Sequence, residues 1–152
     1  MQYPTLNYPP IHLRARRNAD GRIEVFDRVR GRWLVLTPEE WVRRHVVEFL
    51  KRDCGYNAEQ IVEEYPVNIN GMAQRADIVV VDRCGRPHII VECKESNIKI
   101  DREVFYQAVR YNTVLKSRYI VLTNGLETLC YAYSEDGSYT PMEQFPHNTT
   151  EK

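Results

Sequence analysis

Hydrophobic and polar positions alternate with a period of two over residues 11–18 and 22–36. That period puts successive side chains on opposite faces of a strand. The alternation breaks at Asn18-Ala19-Asp20-Gly21, a good hairpin turn, and again at Arg30-Gly31-Arg32. The pattern therefore predicts an N-terminal β-hairpin, with Trp33-Leu34-Val35-Leu36 following the second turn. Residues 1–10 carry three prolines and no period, and read as an extended arm. At Thr37-Pro38-Glu39-Glu40 the period changes to that of a helix. Thr37 suits the N-cap, Pro38 the first helical position, and Glu40 the far side of a capping box. The helix is expected to run to about Arg52, with Val42, Val46, Phe49 and Leu50 on one face.

A short helical turn is expected near residues 58–61, and then three strand patterns. Residues 62–69 lead through Asn70-Gly71 into 72–82, and Arg83-Cys84-Gly85-Arg86-Pro87 leads into 88–94. Connections this tight predict an antiparallel meander. After a loop at 96–100, Asp101 can cap a helix to about Lys116, with Val104, Ala108, Tyr111 and Leu115 on its apolar stripe. Residues 119–123 form a buried-strand run. Asn124-Gly125 turns into 129–133, read as the last strand, and residues 141–152 read as a polar, frayed tail. The whole predicts one mixed α/β domain. Its arm and hairpin span 1–36, its core 37–140 and its tail 141–152.

Composition narrows this picture. A chain of 152 residues with 43% hydrophobic content can form one substantial core. The four cysteines are widely spaced, with no Cys-x-x-Cys, so no zinc or iron–sulfur site is expected and a reducing, cytoplasmic setting fits. No apolar run reaches the roughly 20 residues of a membrane span, and the first residues do not read as a signal peptide. The net charge of zero hides an asymmetry. Residues 1–44 hold nine Arg and no Lys against five acids, and the remainder carries the compensating negative excess. A basic N-terminal third can face phosphates; a solvated, Arg-rich hairpin is the plainer reading.

Candidate chemistry gathers in the third meander strand. In His88-Ile89-Ile90-Val91-Glu92-Cys93-Lys94 an apolar run ends in a carboxylate and an ammonium two residues apart, hence on one face. Burying such charges costs several kcal/mol per ion unless something compensates. Asp77 lies within Ala76-Asp77-Ile78-Val79-Val80-Val81, on the strand expected to pair with this one. Two carboxylates on neighbouring strands can hold a hard divalent cation through oxygen, and an adjacent ammonium can orient a water or offset charge. The plain alternative is a sheet-edge ion pair with its heads in water. His45 reads as an ordinary helix residue, Trp33 and Trp41 as core, and Cys93 as buried and inert.

Asp77, fourteen intervening residues, and then Glu92-Cys93-Lys94 resembles the PD-(D/E)XK nuclease signature, with Ala76 in place of the proline. Gln107-x-x-x-Tyr111 on the following helix is similar to the Q-x-x-x-Y motif of type I restriction-enzyme nuclease domains. Thr37-Pro38-Glu39-Glu40-Trp41-Val42-Arg43, Arg75-Ala76-Asp77 and Val91-Glu92-Cys93-Lys94 resemble the family named after the N-terminal region of the type I restriction R subunit, over roughly residues 30–135. The resemblance implies a restriction-endonuclease-like core and a deoxyribonuclease dependent on Mg²⁺ or Mn²⁺. Asp77 and Glu92 would be metal ligands, Lys94 the catalytic lysine, and Gln107 and Tyr111 supports of the site or contacts to the DNA backbone. It also implies an acidic residue on the first helix, for which Glu40 is favoured over Glu48. DNA is the implied partner, with a homodimer or a partner chain of a defence system as further options. No Gly-x-x-x-x-Gly-Lys-Ser/Thr is present, so no ATP-driven motor is expected here. The alternative is a non-catalytic nucleic-acid-binding or interaction module on the same fold.

Overall fold

A computed structural model describes residues 3–149. Two sheets and two long helices make up the described residues. The first sheet has three antiparallel strands in sequence order: β1 (Ala15–Arg17), β2 (Ile23–Asp27) and β3 (Arg32–Val35). The expected hairpin thus gains a third strand, and its first strand is shorter than the alternation over 11–18 suggested. Helix α1 (Pro38–Arg52) follows, then a single 3-10 turn (Ala58–Gln60) and β4 (Ile61–Ile69), β5 (Met72–Val81) and β6 (Pro87–Cys93) as an antiparallel meander. Helix α2 (Arg102–Leu115) crosses to β7 (Tyr119–Thr123), which lies parallel to β6. Two antiparallel strands, β8 (Thr128–Tyr133) and β9 (Tyr139–Met142), complete a six-stranded sheet in the order β4-β5-β6-β7-β8-β9.

Local chemistry starts both helices. Thr37 accepts a hydrogen bond from the Glu40 N–H at 3.1 Å, and Asp101 accepts from Glu103 N–H and Val104 N–H. Glu40 does not return the bond that a capping box requires; its carboxylate turns to arginines instead. The helices sandwich the large sheet. Val42, Val46, Val47 and Leu50 of α1 pack with Ile78, Val80, Ile89, Val91 and Val121 on one face. Val104, Ala108 and Tyr111 of α2 pack with Val79, Ile90, Ile120 and Leu122 on the other. Covering both faces explains why β5, β6 and β7 read as continuous apolar runs.

Both ends of the chain are bound to this core. Leu6 is buried, and Asn7 N–H donates to Gly125 O at 2.7 Å. Gly125 has φ +89°, and a Cβ there would sit 2.7 Å from a Leu6 methyl, so only glycine fits. Tyr8 OH reaches Thr123 Oγ1 and Thr128 Oγ1. Up to residue 149 the tail departs from the frayed segment expected; residues 150–152 lie outside the described residues. β9 pairs with β8, Phe145 is buried, Tyr56 OH donates to Pro146 O, and Asn148 N–H donates to Cys54 O. Trp41 packs against the core as expected, though half-buried, whereas Trp33 departs from expectation. Neither is fully buried: Trp41 stacks on Tyr3 at 5.5 Å, and Trp33 lies on the first sheet against Phe26 and two arginines. Among the described residues no helix is long and apolar enough to cross a membrane.

Candidate functional site

The β5–β6 register pairs Ile78 with Val91, so Asp77 and Glu92 face each other one step beyond the last ladder pair. Each carboxylate is held by the other strand's backbone. Asp77 N–H donates to Glu92 Oε2 at 3.3 Å, and Cys93 N–H donates to Asp77 Oδ2 at 2.8 Å. A local irregularity assists. Glu64, opposite Asp77 on β4, has φ +53°, and no pair forms between Glu63↔Ile78 and Tyr65↔Ala76. For a residue with a Cβ this conformation stores on the order of 1–2 kcal/mol of strain. Strict alternation also fails here. Ala76 packs on the α2 side and Ile78, two residues on, on the α1 side. The switch leaves Asp77 able to reach both α1 and the β6 backbone.

Charge is concentrated at this point. Glu92 is 3% exposed, and its carboxyl is raised well above the usual range, first by burial and then by the charge of Asp77. Arg43 of α1 donates from Nη2 to Asp77 Oδ1 at 3.1 Å and from Nη1 to Glu40 Oε1 at 3.1 Å. Burial would lower the Arg43 guanidinium, but the Glu40 and Asp77 charges hold it well above its ordinary value. Glu39 is also raised, by burial and then by Asp77, while Arg43 and Lys94 act against the shift. Lys94 anchors its strand end through N–H to Thr123 O at 2.9 Å, and no carboxylate ion-pairs with its ammonium among the described residues.

The first-helix candidates separate clearly. Glu40 lies between Arg43 and Arg44, with Oε2 2.7 Å from Arg44 Nε at an angle unsuited to a hydrogen bond. Glu48 faces Lys51 at 3.5 Å. The α1 carboxylate that feels both Asp77 and Lys94 is Glu39, which the sequence reading passed over. On α2, Gln107 Nε2 donates to Tyr111 OH at 3.0 Å, and Tyr111 OH donates to Gln74 Oε1 at 3.3 Å. This chain ties α2 to β5 three residues before Asp77; none of its bonds goes to Asp77, Glu92 or Lys94. Gln74 and Arg43 are further contributors that the motifs did not mark.

A buried ionic network runs from the site to the first sheet. Arg44 Nη1 lies 2.8 Å from Asp27 Oδ1, and Arg44 also pairs with Glu63. Arg30 joins Asp27 at 2.6 Å, Glu63 at 3.1 Å and Glu64 at 3.4 Å. Glu64 Oε2 lies 3.5 Å from Arg43 Nη1, which closes the path to Asp77. Burial, outweighing the Arg44 charge, lifts the Glu63 carboxyl to about 7. Burial opposes ionisation of Asp27 too, but bonding to Glu63 and the Arg44 charge carry it well below the carboxylate range. The two therefore act in opposite pH windows. Asp27's contribution to stability is present above its unfolded value of 3.8 and lost on acidification below it. Glu63's is complete below 4.5 and lost as pH rises through about 7. Thermal melts at intervals from pH 4.5 to 7.5 should show a decline that Glu63→Gln flattens; an unchanged slope would remove Glu63 as its source.

The donor set at Asp77 and Glu92 is hard oxygen. Among the described residues the repulsion that raises Glu92 is met by an ion pair only on the Asp77 side, from Arg43, so a cation between them would favour the ionised pair. Both facts fit a divalent cation such as Mg²⁺. Among the described residues no group of three or more His, Cys, Asp or Glu is placed to hold a metal, so water or phosphate oxygens would have to complete the coordination. That is the ordinary habit of Mg²⁺.

Comparison with known proteins agrees with this architecture. The sequence profile described as "Type I restriction enzyme R protein N terminus" matches residues 38–146. The structure is similar to a fragment of a protein described as an HsdR subunit of a type I restriction enzyme from Vibrio vulnificus YJ016, with a TM-score of 0.57 and 25% sequence identity. The match covers 74% of this chain and 24% of that one, so the present chain spans about a quarter of the length of its structural relative. No curated protein matches the chain. With its helix–meander–helix–strand core, and with the matched region covering most of its length, the chain belongs to the type I restriction enzyme R protein N-terminal family.

Proposed function

We propose that this domain is a metal-dependent DNA nuclease that hydrolyses phosphodiester bonds, with Asp77, Glu92 and Lys94 at its centre. The observation that carries the reading is the interlock of Asp77, midway along β5, with Glu92, near the end of β6, and with Lys94 two residues on. Mg²⁺ or Mn²⁺, held by Asp77 and Glu92, would supply a Lewis acid for the phosphate and a more acidic water. The chain's own residues do the rest. Cys93 N–H fixes one oxygen of Asp77, and Arg43 holds the other. Lys94 offers an ammonium to orient water or to offset charge on the phosphate as it develops. Glu39 shares the Arg43 guanidinium with Asp77, at 3.7 Å, and burial and the Asp77 charge raise its carboxyl, which makes it the candidate to accept a proton from the water. Gln107 and Tyr111 hold α2 against β5 and so support the Asp77 strand. DNA is the substrate, and further subunits of a restriction complex are the expected partners.

The test is cleavage of linear, circular and branched DNA with and without Mg²⁺ or Mn²⁺, alongside Asp77→Asn. Cleavage is expected only with metal, and Asp77→Asn should abolish it while the fold is kept. DNA binding without metal-dependent cleavage of any substrate would instead make the domain a non-catalytic binding module.

A further inference from the structure

The N-terminal sheet precedes the region matched by the family profile, which begins at residue 38. Its two faces differ sharply. Val25 and Asp27 of β2 turn inward, fully buried, and Asp27 enters the ionic network with Arg30 and Arg44. The register puts Phe26 opposite Trp33 and Arg16 opposite Glu24 on the other face, and Phe26 N–H donates to Arg14 O. On this outer face the Arg14 guanidinium carbon lies 5.2 Å from the Phe26 ring centre and 5.3 Å from that of Trp33. Arg16 lies 4.0 Å over Trp33, and the two rings meet edge to face at 5.4 Å. Arg16 also contacts Glu24 at 2.7 Å, yet its side chain stays about half exposed.

The surrounding field is positive. Residues 11–36 hold seven Arg against Asp20, Glu24 and Asp27. Asp27 is used by Arg30 and Arg44, and Glu24 by Arg16 and Asn18. Arg14, Arg17, Arg22, Arg28 and Arg32 are exposed and have no ion-pairing carboxylate among the described residues. Solvated arginines alone would mean little. A guanidinium held against an aromatic ring is different, because the contact limits its freedom before a phosphate arrives and leaves N–H groups for the fork that fits one. The sheet is also held in a set position relative to the carboxylates. The path Asp27–Arg30–Glu64–Arg43–Asp77 joins it to the site through contacts of 2.6, 3.4, 3.5 and 3.1 Å.

We propose that the outer face of the N-terminal sheet, with Arg14 and Arg16 stacked on Phe26 and Trp33, is a docking surface for the phosphate backbone of duplex DNA. The surface holds the duplex away from Asp77 and Glu92 while the ionic path fixes its distance from them. The inference rests on the reading of the chain as one that acts on DNA, but it concerns binding and not cleavage.

Fluorescence anisotropy with a labelled duplex, in EDTA, tests it on the full chain. Loss of two phosphate contacts in Arg14→Gln/Arg16→Gln should lower the slope of log affinity against log salt by about 1.8 and weaken binding roughly tenfold or more. Trp33→Leu, which keeps both charges but removes the ring, should weaken binding several-fold with the slope nearly unchanged. The pair Arg83→Gln/Arg86→Gln, on the turn between β5 and β6, removes equal charge elsewhere and should have little effect. Melting curves confirm that each variant is folded. Four results would overturn the proposal: no duplex binding by the wild type, an unchanged affinity and slope in Arg14→Gln/Arg16→Gln, an equal loss in the control pair, or a single strand of the same sequence that binds more tightly than the duplex. Binding that depends on Arg14 and Arg16, in a protein that never cleaves DNA with metal, would support this surface and remove the nuclease reading.

Discussion

Arg44→Met should destabilise the protein by about 3–5 kcal/mol, the usual cost of removing one partner from a buried charge network. Arg44 is 4% exposed and meets Asp27 of β2, Glu40 of its own helix and Glu63 of β4. Its loss takes one guanidinium from three buried carboxylates and leaves them to Arg30 and Arg43 alone, in a site with little water. At this chain length the change corresponds to a drop in Tm of roughly 6–20 °C. Arg86→Met makes the control, since Arg86 is exposed and pairs with Asp82 only at 3.5 Å; its effect should stay within about 0.5 kcal/mol. Denaturant titration of the two variants decides the matter. If both lose equally little, the network is not a source of stability. The first sheet should loosen together with α1 in Arg44→Met, because this guanidinium joins them, and limited proteolysis at the Arg28–Arg32 turn would report it.

Lys94→Ala should lower metal-dependent DNA cleavage by about 10²–10³-fold, the range found when one charge-stabilising donor is removed from an active site. Its ammonium makes no ion pair among the described residues, and the backbone N–H that anchors it to Thr123 O remains in the variant. Fold and DNA affinity should therefore be nearly unchanged. That split separates a reacting group from a structural one: a sheet-edge lysine would leave cleavage intact or lower stability with it. Measuring cleavage rate, anisotropy and Tm on the same preparation distinguishes these outcomes.

The parts of this molecule that were legible from the sequence are those governed by neighbours in the chain. Thr37 and Asp101 mark helix starts because the hydrogen bonds that satisfy them lie two or three residues away. Asp77 and Glu92 face each other because a tight turn brings adjacent antiparallel strands into one register. Gln107 and Tyr111 are one helical turn apart and bond directly. What escaped depended on packing over longer distances. Glu39 and Glu40 are consecutive, about 100° apart around the helix, and only the seating of α1 on the sheet buries Glu40 between Arg43 and Arg44 and leaves Glu39 more exposed beside Arg43. Arg43 meets Asp77 through the same seating. β9 contains Pro141 and no alternation, features that an edge strand tolerates and a sequence pattern does not reveal. Trp33, expected in the core, lies outward because burial of Val25 fixes the opposite face of the first sheet as the inner one.

The strap formed by residues 6–8 has a consequence for synthesis. Leu6, Asn7 and Tyr8 complete their contacts with Gly125, Thr123 and Thr128, more than a hundred residues later in the chain. While the polypeptide leaves the ribosome, Tyr3, Pro4 and Tyr8 can already meet Leu36, Trp41 and Phe49, but residues 6–8 lack their remaining partners until β7 and β8 have emerged. The contacts of residues 6–8 with β7 and β8 therefore form only once β7, the parallel neighbour of the strand carrying Glu92, is available.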